Sequence, residues 1–212
     1  NDPSKPGGKV LKNLIDGGFD GDLYVVNPKE DEVQGIKSYR EMGDLPEVDL
    51  AIIAVAAALV PGIVKVLLED KSTRALIVLS AGFSEESAEG AKLENEITDL
   101  ANKHNATLVG PNCIGVLTPH YNGVFTLPIP RLEPHGCDFI SGSGATACFI
   151  MESGIPRGLT FANVFSVGNS AQTGVEDILQ HMDEHYEPGI SPRVKLLYIE
   201  HIGDPQKLLK HA

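Results

Sequence analysis

Three short, unbroken apolar runs, Leu50 to Val55, Ala75 to Leu79 and Thr107 to Val109, alternate with segments whose apolar residues recur at helical spacing. Between the first two runs, Val60, Ile63, Val64, Leu67 and Leu68 follow the i, i+3, i+4, i+7, i+8 pattern of a helix with one apolar face, and Pro61 suits its first turn. Leu93, Ile97, Leu100 and Ala101 mark another such helix before the third run. A strand apolar along its whole length is buried on both faces. Such strands alternating with amphipathic helices predict an α/β fold with a mainly parallel sheet covered on both sides. Leu23 to Val26 predicts an earlier strand ending at Asn27-Pro28-Lys29. The helix carrying Val10, Leu11, Leu14 and Ile15 is preceded only by the turn chemistry of Asn1 to Gly8, so the first strand of the βαβ unit is expected upstream.

From about His120 to Gly136 no period is sustained, and Pro128, Pro130 and Pro134 mark a linker or long crossing loop that divides 1–130 from 131–212. A second α/β series follows: a strand at Asp138 to Ile140, a helix from about Ala145, a strand at Thr160 to Val167, a helix around Val175 to Met182, a strand at Val194 to Ile199 and the start of a helix at Lys207. The 212 residues, 42% hydrophobic and 22% charged, are ordinary for a soluble protein and can build two modest cores. A formal charge of −12 argues against nucleic acid and anionic membrane, either of which needs a basic face. Three cysteines form no paired spacing, so neither a disulfide framework nor a zinc site is expected, and a reducing cytoplasm is the simplest compartment. No apolar run approaches the roughly 20 residues of a membrane span, and no signal peptide is recognisable, so a soluble, unprocessed chain is expected. His104, His120, His135, His181, His185 and His211 share no ligand spacing; no metal site is expected, and these histidines are read as surface residues.

In an open α/β sheet the ligand lies over the carboxyl ends of the strands, so the turns after them form one rim. Gly7 and Gly8, just ahead of a helix, would let a pyrophosphate approach free backbone donors, though a plain strand-to-helix turn has the same composition. Lys29 is a cation where a nicotinamide dinucleotide site ordinarily has an acid; CoA and NADP both satisfy it, and so does a simple surface lysine. The small residues from Val55 to Ala58 suit a flat ligand or close helix packing equally. Ser141-Gly142-Ser143-Gly144 ends a strand and opens a helix, offering N–H groups, hydroxyls and a favourable dipole to an anion, or merely an N-capping serine. It is not a nucleophile elbow, because Ser141 stands where the first glycine is required. Glu200 sits where a strand-end carboxylate projects into a rim or into solvent.

Gly110-Pro111-Asn112-Cys113-Ile114-Gly115 followed by Ser141-Gly142-Ser143-Gly144 resembles the CoA-binding and phosphate-handling segments of NDP-forming acyl-CoA synthetases, the succinyl-CoA synthetase α-subunit superfamily. The similarity runs along the whole chain, with a piece missing at each end. It implies a Rossmann-like CoA-binding parallel sheet followed by a second, flavodoxin-like α/β domain that is truncated. It places CoA at Pro6, Gly7, Gly8, Asn27, Pro28, Lys29, Val55, Ala56, Ser80, Ala81, Gly82, Asn112 and Cys113. Ser143, Gly144, Ala145 and Thr146 would receive the phosphate of a phosphohistidine, and Glu200, in Glu200-His201-Ile202-Gly203, would orient the phosphorylated histidine. That histidine would lie a few dozen residues beyond Glu200, outside this chain. His201 is a poor substitute, because adjacent strand residues point to opposite faces. Cys113 lacks a basic activating neighbour and reads as a buried or CoA-lining thiol. The implied reaction converts acyl-CoA, phosphate and ADP or GDP to free acid, CoA and the nucleoside triphosphate through an acyl phosphate and a phosphohistidine. Nucleotide and Mg²⁺ would belong to a separate ATP-grasp domain or subunit, since the chain has no glycine-rich lysine loop, and an oligomer is expected. The alternatives are a CoA-binding regulatory module of a protein acetyltransferase and an NADP-binding Rossmann domain.

Overall fold

The computed structural model describes residues 2–126 and 129–212, so the expectations at Asn1 and Pro128 lie outside it. Helix α1 (Pro6–Asp16) starts with Pro6 in its first turn and buries Val10, Leu11 and Leu14. Strands β1 (Val25–Val26), β2 (Glu32–Val33) and β3 (Ile36–Tyr39) form a small sheet in the order β1-β3-β2. β2 and β3 form a hairpin, too short and polar for the apolar pattern to mark. Gln34 and Gly35 both take positive φ (53 and 83), which lets a two-residue turn match the strand twist.

β4 (Leu50–Ile53), α2 (Val60–Asp70), β5 (Ala75–Val78), α3 (Ala88–Lys103) and β6 (Thr107–Val109) form the expected alternation, and the three strands pair in parallel in the order β4-β5-β6. One face of the sheet packs Leu76, Val78 and Leu108 against Val64 and Leu68 of α2 and Ile97 and Ala101 of α3. The other packs Ile77, Leu79 and Val109 against Val10 of α1. Fully burying a side chain such as Leu76 contributes about 1.5–3 kcal/mol, which explains why the central positions of these strands are apolar. Ser87 starts α3 by accepting the Gly90 N–H at 3.0 Å.

The second sheet comprises β7 (Gly115–Thr118), β8 (Tyr121–Val124), β9 (Leu132–Ser141), β10 (Phe161–Ser166) and β11 (Lys195–Tyr198), with helices α4 (Gly144–Gly154), α5 (Val175–Glu184) and α6 (Pro205–His211). Its order is β11-β9-β10-β7-β8; β9, β10 and β11 run parallel, and β7 pairs antiparallel with β10 and β8. The interval from His120 to Gly136 is therefore not a plain linker, because it holds β8 and the start of β9. Pro119 and His120 form the two-residue loop implied by the Thr118 and Tyr121 pairing, and Pro134 precedes the paired stretch that begins at Cys137. The second sheet thus reaches back across residue 130, and α1 is fastened to it: Asn13 Nδ2 donates to the Val124 carbonyl at 2.6 Å.

Phe139 and Phe161 are fully buried with ring centroids 5.8 Å apart at the centre of the second core. At the amino ends of the parallel strands, buried Asp138 pairs with Lys195 and accepts from Asn163 Nδ2 at 2.7 Å. The reading of the histidines as surface residues fails at His211, which is buried and contacts Asp183 Oδ2 at 2.8 Å, because α6 folds back on α5.

Candidate functional site

The turns after β4, β5 and β6 are stitched into one edge by Ser80. Its Oγ accepts the Val55 N–H at 3.1 Å, and its carbonyl accepts the Asn112 N–H at 2.9 Å. Gly7 reaches the same edge: a Cβ built on it would stand 3.3 Å from the Ala54 Cβ. Gly7 and Gly8 lie inside the first turn of α1 rather than ahead of it, because the helix begins at Pro6. The Asp2–Lys5 turn folds so tightly over Gly8 that a Cβ there would be 2.1 Å from the Asp2 carbonyl. First-turn N–H groups have no intrahelical acceptor, so α1 points donors along the strand ends. Ala56 and Ala81 are exposed on this rim, and Gly82 lies opposite Ala57.

Asn27, Pro28 and Lys29 follow β1, where Asn27 Oδ1 accepts the Lys29 N–H at 3.0 Å and leaves the Lys29 side chain in solvent. Their sheet is tied to α1 by Gln34 Nε2, which donates to the Gly8 carbonyl at 2.9 Å. Cys113 faces inward: it is 2% exposed, its Sγ lies 3.3 Å from the Val78 carbonyl, and burial pushes the thiol up to about 12. It contributes backbone to the rim and core packing beneath it. Asn112 takes φ 57, a left-handed conformation that asparagine tolerates better than most residues, and its side chain stays exposed.

At the second rim, Ser141 Oγ accepts the Ser143 N–H at 3.2 Å and donates to the Ser143 carbonyl at 2.7 Å. Ser143 Oγ then caps α4 by accepting the Thr146 N–H at 3.3 Å. Of the four residues expected to donate to phosphate, Ser143 and Thr146 thus have N–H groups engaged by hydroxyls. Gly144 and Ala145, at the positive end of the helix dipole, line an open cleft of about 360 Å³. The cleft joins the two halves. Asn112 and Cys113 border it from the first, and Ser143, Gly144, Ala145 and Glu200 from the second. Glu200 lies beside the α4 turn, since a Cβ on Gly142 would be 3.6 Å from the Glu200 Cβ. His201 borders the same cleft. The alternation that set His201 apart from Glu200 does not apply, because β11 ends at Tyr198 and both residues occupy the following loop.

Further residues, which the sequence did not single out, build the seam. Asn169 Nδ2 donates to Glu85 Oε2 at 2.5 Å and Glu94 Oε2 at 2.8 Å, while Asn169 Oδ1 accepts from Asn112 Nδ2 at 3.3 Å. Partial burial opposes the Glu85 charge, yet the Asn169 amide and the N–H groups of Gly82 and Phe83 hold its carboxyl below the usual range. The backbone closes the same contact: the Asn169 N–H donates to the Pro111 carbonyl at 2.9 Å, and Gly168, at φ 56, admits no Cβ because one would lie 2.1 Å from that oxygen. Gln172 Oε1 accepts the Leu108 N–H at 2.6 Å, and its Nε2 donates to the Ala106 carbonyl at 3.0 Å. Such pairings between distant loops leave no periodic trace in sequence; the Gly168-Asn169 pair, a turn signal directly after a strand, is the nearest to one.

Residues 134–212 match the succinyl-CoA ligase like flavodoxin domain, and residues 1–119 match the CoA binding domain. The chain is 35% identical over 215 residues to the Pyrococcus furiosus acetate–CoA ligase (ADP-forming) II subunit alpha, covering 100% of itself and 45% of that protein. It is 37% identical over 211 residues to the Archaeoglobus fulgidus acetate–CoA ligase (ADP-forming) I, covering 98% of itself and 30% of the relative. The solved structure of the Ca. Korarchaeum cryptofilum dinucleotide forming acetyl-coenzyme A synthetase 1 in complex with phosphate and ADP superimposes with a TM-score of 0.85 at 31% identity, covering 98% of this chain and 43% of that one. The chain therefore spans less than half the length of each of these relatives. The rim of strand-end turns is the part that the match to residues 1–119 describes, and with that match covering more than half of the sequence, the chain belongs to the CoA-binding domain family, continued by a succinyl-CoA ligase-like flavodoxin domain.

Proposed function

We propose that this chain is the CoA-binding portion of an ADP-forming acyl-CoA synthetase, with CoA laid along the edge from Gly7 and Lys29 to Asn112 and its thioester entering the cleft between the halves. The observation that carries this reading is that one cleft brings Asn112 together with Gly144, Ala145 and Glu200. There a phosphate oxygen attacks the thioester carbonyl; the C–O bond forms, the C–S bond breaks, and the CoA thiolate leaves and is protonated. A histidine supplied from outside these residues then takes the phosphoryl group from the acyl phosphate, releasing the carboxylic acid, and passes it to ADP. No Lys or Arg borders the cleft among the described residues, so anion stabilisation falls to the Gly144 and Ala145 N–H groups and the α4 dipole. Glu200 orients the histidine ring and stabilises its cation. The nucleotide and Mg²⁺ reside in an ATP-grasp partner portion, and the assembled enzyme is an oligomer that works in the cytoplasm.

Isothermal calorimetry on this chain with CoA, dephospho-CoA and NADPH tests the reading. CoA binding with a Kd in the micromolar range, weaker dephospho-CoA binding and no NADPH heat are expected. Tight NADPH binding without CoA binding overturns it.

A further inference from the structure

Glu176 stands in the first turn of α5 and is only 3% exposed. A carboxylate that deeply buried is retained when something pairs with it. Its partners are two backbone donors: Oε1 accepts the N–H groups of Gly203 at 2.7 Å and of Asp204 at 2.8 Å, while Oε2 has no hydrogen-bond partner among the described residues. Gly203 and Asp204 close the loop that carries Glu200. That loop leaves the sheet at Tyr198, whose carbonyl accepts the Gly142 N–H at 2.8 Å, and it regains regular structure only when Asp204 caps α6. Glu200 is therefore suspended between two fixed points, the Tyr198 to Gly142 bond before it and the Glu176 clamp after it. The neighbouring Asp177 to Lys207 pair, at 2.6 Å, fastens α6 to α5.

We infer that Glu176 is a positioning residue: its carboxylate, contributed by α5, fixes the 200–204 loop so that the Glu200 side chain faces the α4 turn. This rests on the proposed role of Glu200. Glu176 is not among the described residues that line the cleft. It acts by geometry, and displacing a catalytic group by about 1 Å costs up to about 100-fold in rate.

The test is steady-state acyl-CoA formation by the complete synthetase carrying E176A, E176Q, E176D, E200Q or E176A with E200Q. E176A is expected to lower kcat roughly 10- to 100-fold with KM for CoA within about twofold of wild type. E176Q should recover most of that loss, because its amide oxygen can accept the same two N–H groups. The double variant should be no slower than E200Q alone, since both act through one side chain. If E176A does not fold, E176D keeps the charge, withdraws it by one methylene and should slow kcat in the same way. Wild-type kcat in E176A or E176D alongside a slow E200Q overturns the inference and leaves the reading of Glu200 standing, as does an E176Q no faster than E176A. Wild-type kcat in E200Q overturns both.

Discussion

The two rims that meet at the cleft are built on different principles. The first, from Gly7 through Val55, Ser80 and Ala81 to Asn112, presents mostly small side chains and backbone groups, and Ser80 bonds the turns on either side of it. The second is held by side chains that grip backbone: Ser141 on Ser143, Ser143 on Thr146 and Glu176 on Gly203 and Asp204. A surface of the first kind suits a long, flat ligand whose affinity is spread over many contacts. A surface of the second kind fixes a few groups in one geometry, which is what a reacting centre needs. Damage to the second rim should therefore appear in rate, and damage to the first in affinity.

The largest expected effect is on the second rim. Glu200→Gln in the complete enzyme should reduce acyl-CoA formation by roughly 100- to 1,000-fold, while CoA affinity measured by calorimetry stays unchanged. A loss of affinity with normal turnover would invert the comparison. On the first rim, Lys29→Ala should weaken CoA binding only about fivefold, as befits an exposed charge pair. The same substitution should leave dephospho-CoA binding unaltered; an equal loss for both ligands would remove Lys29 from the 3′-phosphate. The smallest effect concerns Cys113, under the first rim. Because burial raises its thiol from 9.0 to about 12, it should resist iodoacetamide at pH 8 in the native protein and react after denaturation, as read by mass spectrometry. Between those two values the folded thiol holds a proton that the unfolded one has lost, so this group makes the protein less stable as pH rises above about 9.

The parallel alternation of β4, β5 and β6 with α2 and α3 was legible because burial on both faces leaves no room for polar residues. The β7–β8 hairpin was not. Gly115 closes the Gly110–Gly115 turn, so the strand starting there carries no signal of its own, and the partner strand Tyr121-Asn-Gly-Val124 is too short and mixed to stand out beside nearby prolines. Turn composition alone marks Gly7 and Gly8 as a place for free backbone donors, whereas Ala145 is pointed to by the family resemblance. Glu176 and Asn169 could not be expected, because each draws its role from residues 27 to 84 positions away in sequence. Glu176 reads in sequence as an ordinary acid in a helix's first turn, and only the fold shows that the 200–204 loop covers it.

Gln172 carries a consequence for how the chain survives before it is complete. β6 is the outer member of its sheet, and the amide of Gln172 occupies the Leu108 donor and the Ala106 acceptor much as a neighbouring peptide unit would. An uncovered margin of this type recruits foreign strands and seeds aggregation. A polypeptide cut or stalled after β6 would display that adhesive margin, which the folded chain covers with the Gln172 amide.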